Sequence, residues 1–364
     1  MEHTYNVQEQ AVKYYRHIPR VPENFPVAAD ALRGAENDAF AAAFAHFADT
    51  MERMYKDIEV LPEAYGMPLT KLGETAPKKS ANSVAREAYR AIKRLGDVLR
   101  AIGELGEPTD GGLRVEIAAF KAAMSAQKPR LANAHLILDR LTAFGFTFTD
   151  YADGDFTKGA TAFTVAHPKN PLVMTVLRAY STAPRFYGAT TYDPHEFYYF
   201  DYKRVADRDR LPPHIIADDL AAMIPPHLGE AFRAVHRRFV DDFGLTPHYK
   251  DDSIEYFLKK KRVARFIIDF GTLETLLILK LKDMDRYINR VSALPPELRR
   301  HFEYSRCSHC GFQGATDEFC KFRLLWTLNG TAHEACTHVC FNFASPIAAH
   351  VEPLAALMQA EYGF

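Results

Sequence analysis

Between Ser253 and Leu281 three short apolar runs (Ser253–Leu258, Val263–Phe270 and Thr275–Leu281) are separated by little more than a turn each. Links this short leave no room for crossover helices, so neighbouring runs must pair antiparallel. Lys259-Lys260-Lys261-Arg262 joins the first two and Gly271-Thr272 the next, which predicts a β-meander. The lysines are read as a solvated turn that keeps two apolar strands soluble.

A different period governs the N-terminal half. Phe40, Phe44, Phe47, Met51 and Met54 recur at steps of three and four, giving one apolar stripe on a helix over Glu36–Tyr55. Val84, Ala88, Ile92, Leu95, Leu99 and Ile102 repeat the pattern, with Ser83 as the expected N-cap and the stretch from Gly103 to Gly112 as the expected end. Helical periods first and strand runs later define an α+β fold, with a helical N-terminal half and a C-terminal antiparallel-sheet domain carrying helices.

Punctuation in the sequence sets the organisation. Residues 1–27, crowded with aromatics and prolines, are expected to form an extended arm. Leu211-Pro212-Pro213 and Ile224-Pro225-Pro226 bracket a short helix, and a boundary is expected near residue 226. This gives a helical region (1–112), a mixed segment (113–186), an aromatic and proline-rich connector (187–226) and an α+β domain (227–364). Within the last, a helix over Leu228–Phe243 stops at Gly244, Pro295-Pro296 opens a short helix and Pro346 begins a final one.

The mixed segment has a recognisable order. A helix over Val115–Ala126, a Lys128-Pro129 turn, a second helix, strands at Phe146–Tyr151 and Ala162–Val165 around an Asp153-Gly154-Asp155 turn, and a helix over Pro171–Tyr180 follow one another. Helix, turn, helix and β-hairpin resembles a winged helix. Lys128, Arg130, Asn133, His135 and Arg140 offer donors and cations to a DNA groove. Asp139, Asp150, Asp153 and Asp155 would repel phosphate, so protein contact is favoured over DNA.

Composition narrows the partners. A formal charge of -1 and a pI near 7.0 provide no global field for nucleic acid or an anionic lipid surface. No run reaches the roughly 18 apolar residues of a membrane span, and the first 20 residues lack the apolar core of a signal peptide. The expected location is the cytoplasm, where thiols stay reduced and clustered cysteines serve as metal ligands or redox groups.

All five cysteines fall between Cys307 and Cys340. Cys307-Ser308-His309-Cys310-Gly311 is a knuckle that can aim two thiolates at one ion. Cys320 follows, and a strand over Phe322–Leu328 with an Asn329-Gly330 hairpin turn would carry Cys336 back towards the first pair. Cys307, Cys310, Cys320 and Cys336 then form a closed tetrahedral set, the donor chemistry of a structural zinc site. Cys340, His309, His333 and His338 stand as alternative ligands, and a redox dithiol is the rival reading. The run with Cys307-x-x-Cys310-Gly311, Cys320-Lys321-Phe322-Arg323, Asn329-Gly330, Cys336 and Phe341-x-Phe343 resembles uncharacterised bacterial proteins with a Cys-rich C-terminal α+β domain, over roughly residues 230–364. The resemblance implies no activity and treats the cysteines as a set.

Other patterns reduce to simpler readings. His333 and His338 are five apart, which on a helix would separate them by about 140° and prevent a zincin-type pair. Gly154–Gly159 lacks the order of a phosphate loop and reads as a turn. Phe197–Tyr202 is read as core in preference to a pocket wall, and His214, His227, His236 and His248 share no spacing. The expected function is a non-enzymatic, zinc-binding protein in a binding or regulatory role. The alternative is an enzyme with a pocket between the two halves, using the cysteines as redox or metal groups. No catalytic residue is assigned, and self-association is left open.

Overall fold

The computed structural model describes residues 7–67, 81–127, 133–186, 195–250, 252–304, 323–336 and 341–364. Helices and antiparallel sheets divide between two units, Met1–Pro213 and His214–Phe364.

The first unit begins with a helix where an extended arm was expected. In α1 (Val7–Arg16), Val7, Ala11 and Tyr14 are buried at helical spacing, a stripe hidden in the sequence by flanking aromatics and prolines. After the single turn of α2 (Ala29–Leu32), α3 (Asn37–Val60) buries Phe40, Phe44, Phe47, Met51 and Met54 as their period predicts. Helix α4 (Ala81–Leu105) starts ahead of Ser83, which lies inside its first turn and not at the cap. It also runs through Gly103, and the expected loop beyond it forms a hairpin of β1 (Glu107–Thr109) and β2 (Gly112–Glu116). Three residues of β1 with no buried side chain leave no alternation to detect.

The mixed segment follows as α5 (Ile117–Ala126), α6 (Ala134–Ala143), β3 (Thr147–Thr149), a small hairpin of β4 (Tyr151–Ala152) and β5 (Asp155–Phe156), then β6 (Ala162–Ala166) and α7 (Leu172–Thr182). Strand order is β1-β2-β6-β3, antiparallel throughout. The segment is not a separate domain, because one core runs from Val7 to Ala206. In and just after α8 (His195–Tyr198), that core includes Phe197, Tyr198, Phe200 and Tyr202, each with no exposed surface. The aromatic part of the expected connector therefore belongs to the first unit.

The second unit begins with α9 (Ile215–Ala222) and α10 (Pro226–Arg237), the latter extended by a π-helical turn over Arg238–Asp242. The two helices pack so closely at Gly229 that a Cβ there would lie 2.3 Å from the Ala221 carbonyl oxygen. This contact draws the chain ahead of residue 226 into the second unit, so the division falls after Pro213.

The predicted meander is present as β8 (Ser253–Leu258), β9 (Lys261–Asp269) and β10 (Glu274–Leu279). It gains an edge strand on each side, β7 (Thr246–Lys250) and, from later in the chain, β13 (Phe341–Ala344), in the order β13-β10-β9-β8-β7. Alternate residues Ile254, Tyr256, Phe266, Ile268, Leu277 and Leu279 are buried, and Phe232 of α10 meets Phe266 at 4.6 Å between ring centroids. Each such phenyl ring contributes about 2–3 kcal/mol through burial. Helices α11 (Ile288–Ser292) and α12 (Pro296–Glu303), the ribbon of β11 (Arg323–Leu328) and β12 (Thr331–Cys336), and α13 (Ala348–Tyr362) complete the unit. Among the described residues no helix is long and apolar enough to cross a membrane.

Candidate functional site

Of the four expected zinc ligands, only Cys336 lies among the described residues; Cys307, Cys310 and Cys320 lie outside them, as do Cys340, His309 and His338. Asn329 and Gly330 both take positive φ, 51° and 77°, the left-handed pair of a tight hairpin turn. The turn sets Trp326 opposite His333 and Arg323 opposite Cys336. Cys336 is half-buried and not in a disulfide. It ends β12 opposite the first described residue after Cys320 in sequence.

Side chains alternate faces along a strand, so His333 and Cys336, three apart on β12, project from opposite faces of the ribbon. His333 stacks on Trp326 at 5.8 Å, and its Nδ1 lies 3.1 Å from the Glu303 carbonyl, which fixes the hydrogen on Nδ1. Cys336 shares its face with Glu334, whose carboxylate is bridged by Arg323 at 2.5 Å. His333 and Cys336 are therefore not brought together. Among the described residues no three His, Cys, Asp or Glu side chains converge on a metal position, and the strand conformation of Thr331–Cys336 removes the zincin reading.

In the mixed segment, Arg140 is the one arginine or lysine of α6, and it points inward. Its Nε and Nη2 donate to Asp57 Oδ2 on α3 at 3.0 and 2.5 Å, and the Tyr65 hydroxyl donates to the same oxygen at 2.7 Å. The hydrogen bond to Asp57 raises the Arg140 pKa further, while burial and Asp57 hold the Tyr65 phenol far above its usual range. Asp139 accepts from the Tyr151 hydroxyl at 2.7 Å. The solvent-exposed residues of α6 are His135, Thr142 and Ala143. The exposed carboxylates nearby, Asp150, Asp153 and Asp155, belong to the β4–β5 hairpin and its approach. Lys128 and Arg130 lie outside the described residues.

Between α5, α6 and the β4–β5 hairpin lies a cleft of about 280 Å³. Phe120, Met124, Leu138 and Tyr151 form its buried floor, with Lys121, His135 and Asp155 exposed at its rim. An apolar floor with few polar groups around it accepts apolar side chains or small ligands.

The second unit holds a chain of polar groups that no sequence spacing announces. His214 Nδ1 lies 3.2 Å from His236 Nε2, His236 Nδ1 lies 3.1 Å from the Tyr256 hydroxyl, and His214 Nε2 lies 3.3 Å from Asp241 Oδ1. Helix α10 carries His236 inward, the π turn presents Asp241, and β8 supplies Tyr256. His236 and Tyr256 are buried, whereas His214 and Asp241 reach solvent. Burial, reinforced by His214, lowers the His236 pKa to about 4, and burial pushes the Tyr256 phenol well up. His214 immediately precedes α9 while His236 lies on α10, and the inserted residue of a π turn leaves no periodic mark, so the sequence gives no sign of this pairing. His227 and His248, the other two scattered histidines, are exposed.

Comparison with family models, curated proteins and solved structures returned no match.

Proposed function

We propose that this chain is a zinc-clasped, non-enzymatic binding protein whose winged-helix-like segment makes contact with protein and not with DNA. The order α4, β2, α5, α6, β3, a β4–β5 wing and β6, with β6 between β2 and β3, supports the winged-helix reading. The observation that carries the choice of partner is Arg140. A helix that reads DNA offers cations to phosphates and donors to base edges, but this arginine is held by Asp57 and the wing offers carboxylates. The cleft beside α6 is where an apolar side chain of the partner would enter.

Fluorescence anisotropy of the full chain with random duplex at low salt is expected to show no binding. Binding that weakens steeply with salt would overturn the choice of protein over DNA.

The clasp would consist of Cys307, Cys310, Cys320 and Cys336, with zinc in a closed site that contributes folding energy. The half-buried thiol of Cys336, placed at the end of the ribbon and not in a disulfide, fits such a role. Metal analysis is expected to find about one zinc per chain, with partial unfolding on chelation and loss of the metal in Cys336→Ser. Protein that is fully folded and metal-free after mild chelation would overturn the clasp.

A further inference from the structure

The chain Asp241–His214–His236–Tyr256 has ends that demand one polarity. A carboxylate only accepts, so His214 Nε2 carries its hydrogen towards Asp241. In neutral His214 the other nitrogen, Nδ1, is then an acceptor, so His236 Nε2–H donates to it. Neutral His236 is left with an accepting Nδ1, which takes the hydrogen of the Tyr256 hydroxyl. Every donor has an acceptor in this arrangement. Reversing the chain would turn a lone pair of His214 towards the Asp241 carboxylate and aim the hydrogen of a fully buried phenol away from its ring partner.

We propose that these four residues form a proton-operated latch, closed while both imidazoles are neutral and holding His214, at the head of α9, against α10 and β8. A second proton on His236 opens it. Protonated His236 would turn an N–H on the Tyr256 hydroxyl, 3.1 Å away, and displace the hydrogen it now receives.

The surroundings offer His236 little compensation for a charge. On α9, Asp218 is engaged by Arg233 and Arg237 at 3.4 and 3.5 Å. In the π turn Arg238 pairs with Asp242, and Glu352 of α13 also faces that arginine. From β7 the Tyr249 ring lies 6.2 Å from the His236 ring. Burial, His214 and Arg237 lower the His236 pKa, and Asp241 raises it. The sign follows from a closed-state value depressed to about 4 against about 6.5 for a released histidine. The latch is fully closed above the released value and weakens as pH falls towards the closed-state one.

The test uses the full chain. Histidine ¹⁵N spectra at pH 7.5 are expected to show both rings as Nε2–H tautomers. Hydrogen exchange of the α9 amides, corrected for intrinsic rates, is expected to show opening that increases about 30-fold between pH 7.5 and 5, above the main carboxylate titrations. In His236→Gln, which bridges the same neighbours without titrating, most of that increase should disappear. An Nδ1–H tautomer at either ring, an increase below about 3-fold in the natural chain, or an undiminished response in the variant would each overturn the latch. Should the variant fail to fold, the tautomers and exchange of the natural chain decide alone.

Discussion

Asp57→Ala is expected to destabilise the first unit by about 2–4 kcal/mol, because three donors from two side chains lose one acceptor. Arg140 Nε and Nη2 and the Tyr65 hydroxyl all meet Asp57 Oδ2. The pair is partly open to water, with Asp57 19% and Arg140 28% exposed, so the effect falls below that of a fully buried ion pair. Helix α6 should loosen from α3 first. Urea unfolding followed by circular dichroism gives the size, and faster hydrogen exchange in α6 gives the place. A loss below about 0.5 kcal/mol would mean that water replaces the carboxylate freely and that the inward turn of Arg140 has another cause.

Gly229→Ala is expected to cost about 3 kcal/mol in the second unit, at the upper end for an added methyl group. The atom it strikes is the Ala221 backbone oxygen at 2.3 Å, with the carbonyl carbon at 3.2 Å, so no side chain can turn aside. Helices α9 and α10 would have to separate. Trp326, the single tryptophan, lies in this unit and is buried, so its fluorescence during urea unfolding reports the loss. Gly244→Ala is a different case: its cost comes from a φ of +63° with open space around it, not from a collision.

The latch and the Asp57 cluster differ in how far the sequence could announce them. Arg140 could be placed on a helix from its neighbours Leu138 and Leu141, yet its direction depends on Asp57, 83 residues away. A cation on a predicted helix is equally consistent with a DNA-facing side chain and with an internal clamp. His214 and His236 were legible only as scattered histidines, since their meeting needs the α9–α10 turn and Asp241 needs the inserted residue of the π turn. The cysteines are the reverse case. Their grouping is plain in the sequence, whereas the ribbon adds that Cys336 and His333 lie on opposite faces.

What the sequence alone determined is local and periodic. The stripe Phe40–Phe44–Phe47–Met51–Met54, the three strand runs of the meander and the Asn329-Gly330 turn are each specified by residues close in the chain, and each forms as read. The tertiary structure decided whatever depends on an approach between distant residues. It made α1 a helix packed into the first core, and it set the division at Pro213 through the contact of Gly229 with Ala221. It also turned Arg140 inward and joined two histidines into one hydrogen-bonded chain. The physical reason is range: backbone propensity and hydrophobic period act over one or two turns, whereas a buried ion pair or a shared proton exists only once separate elements have packed.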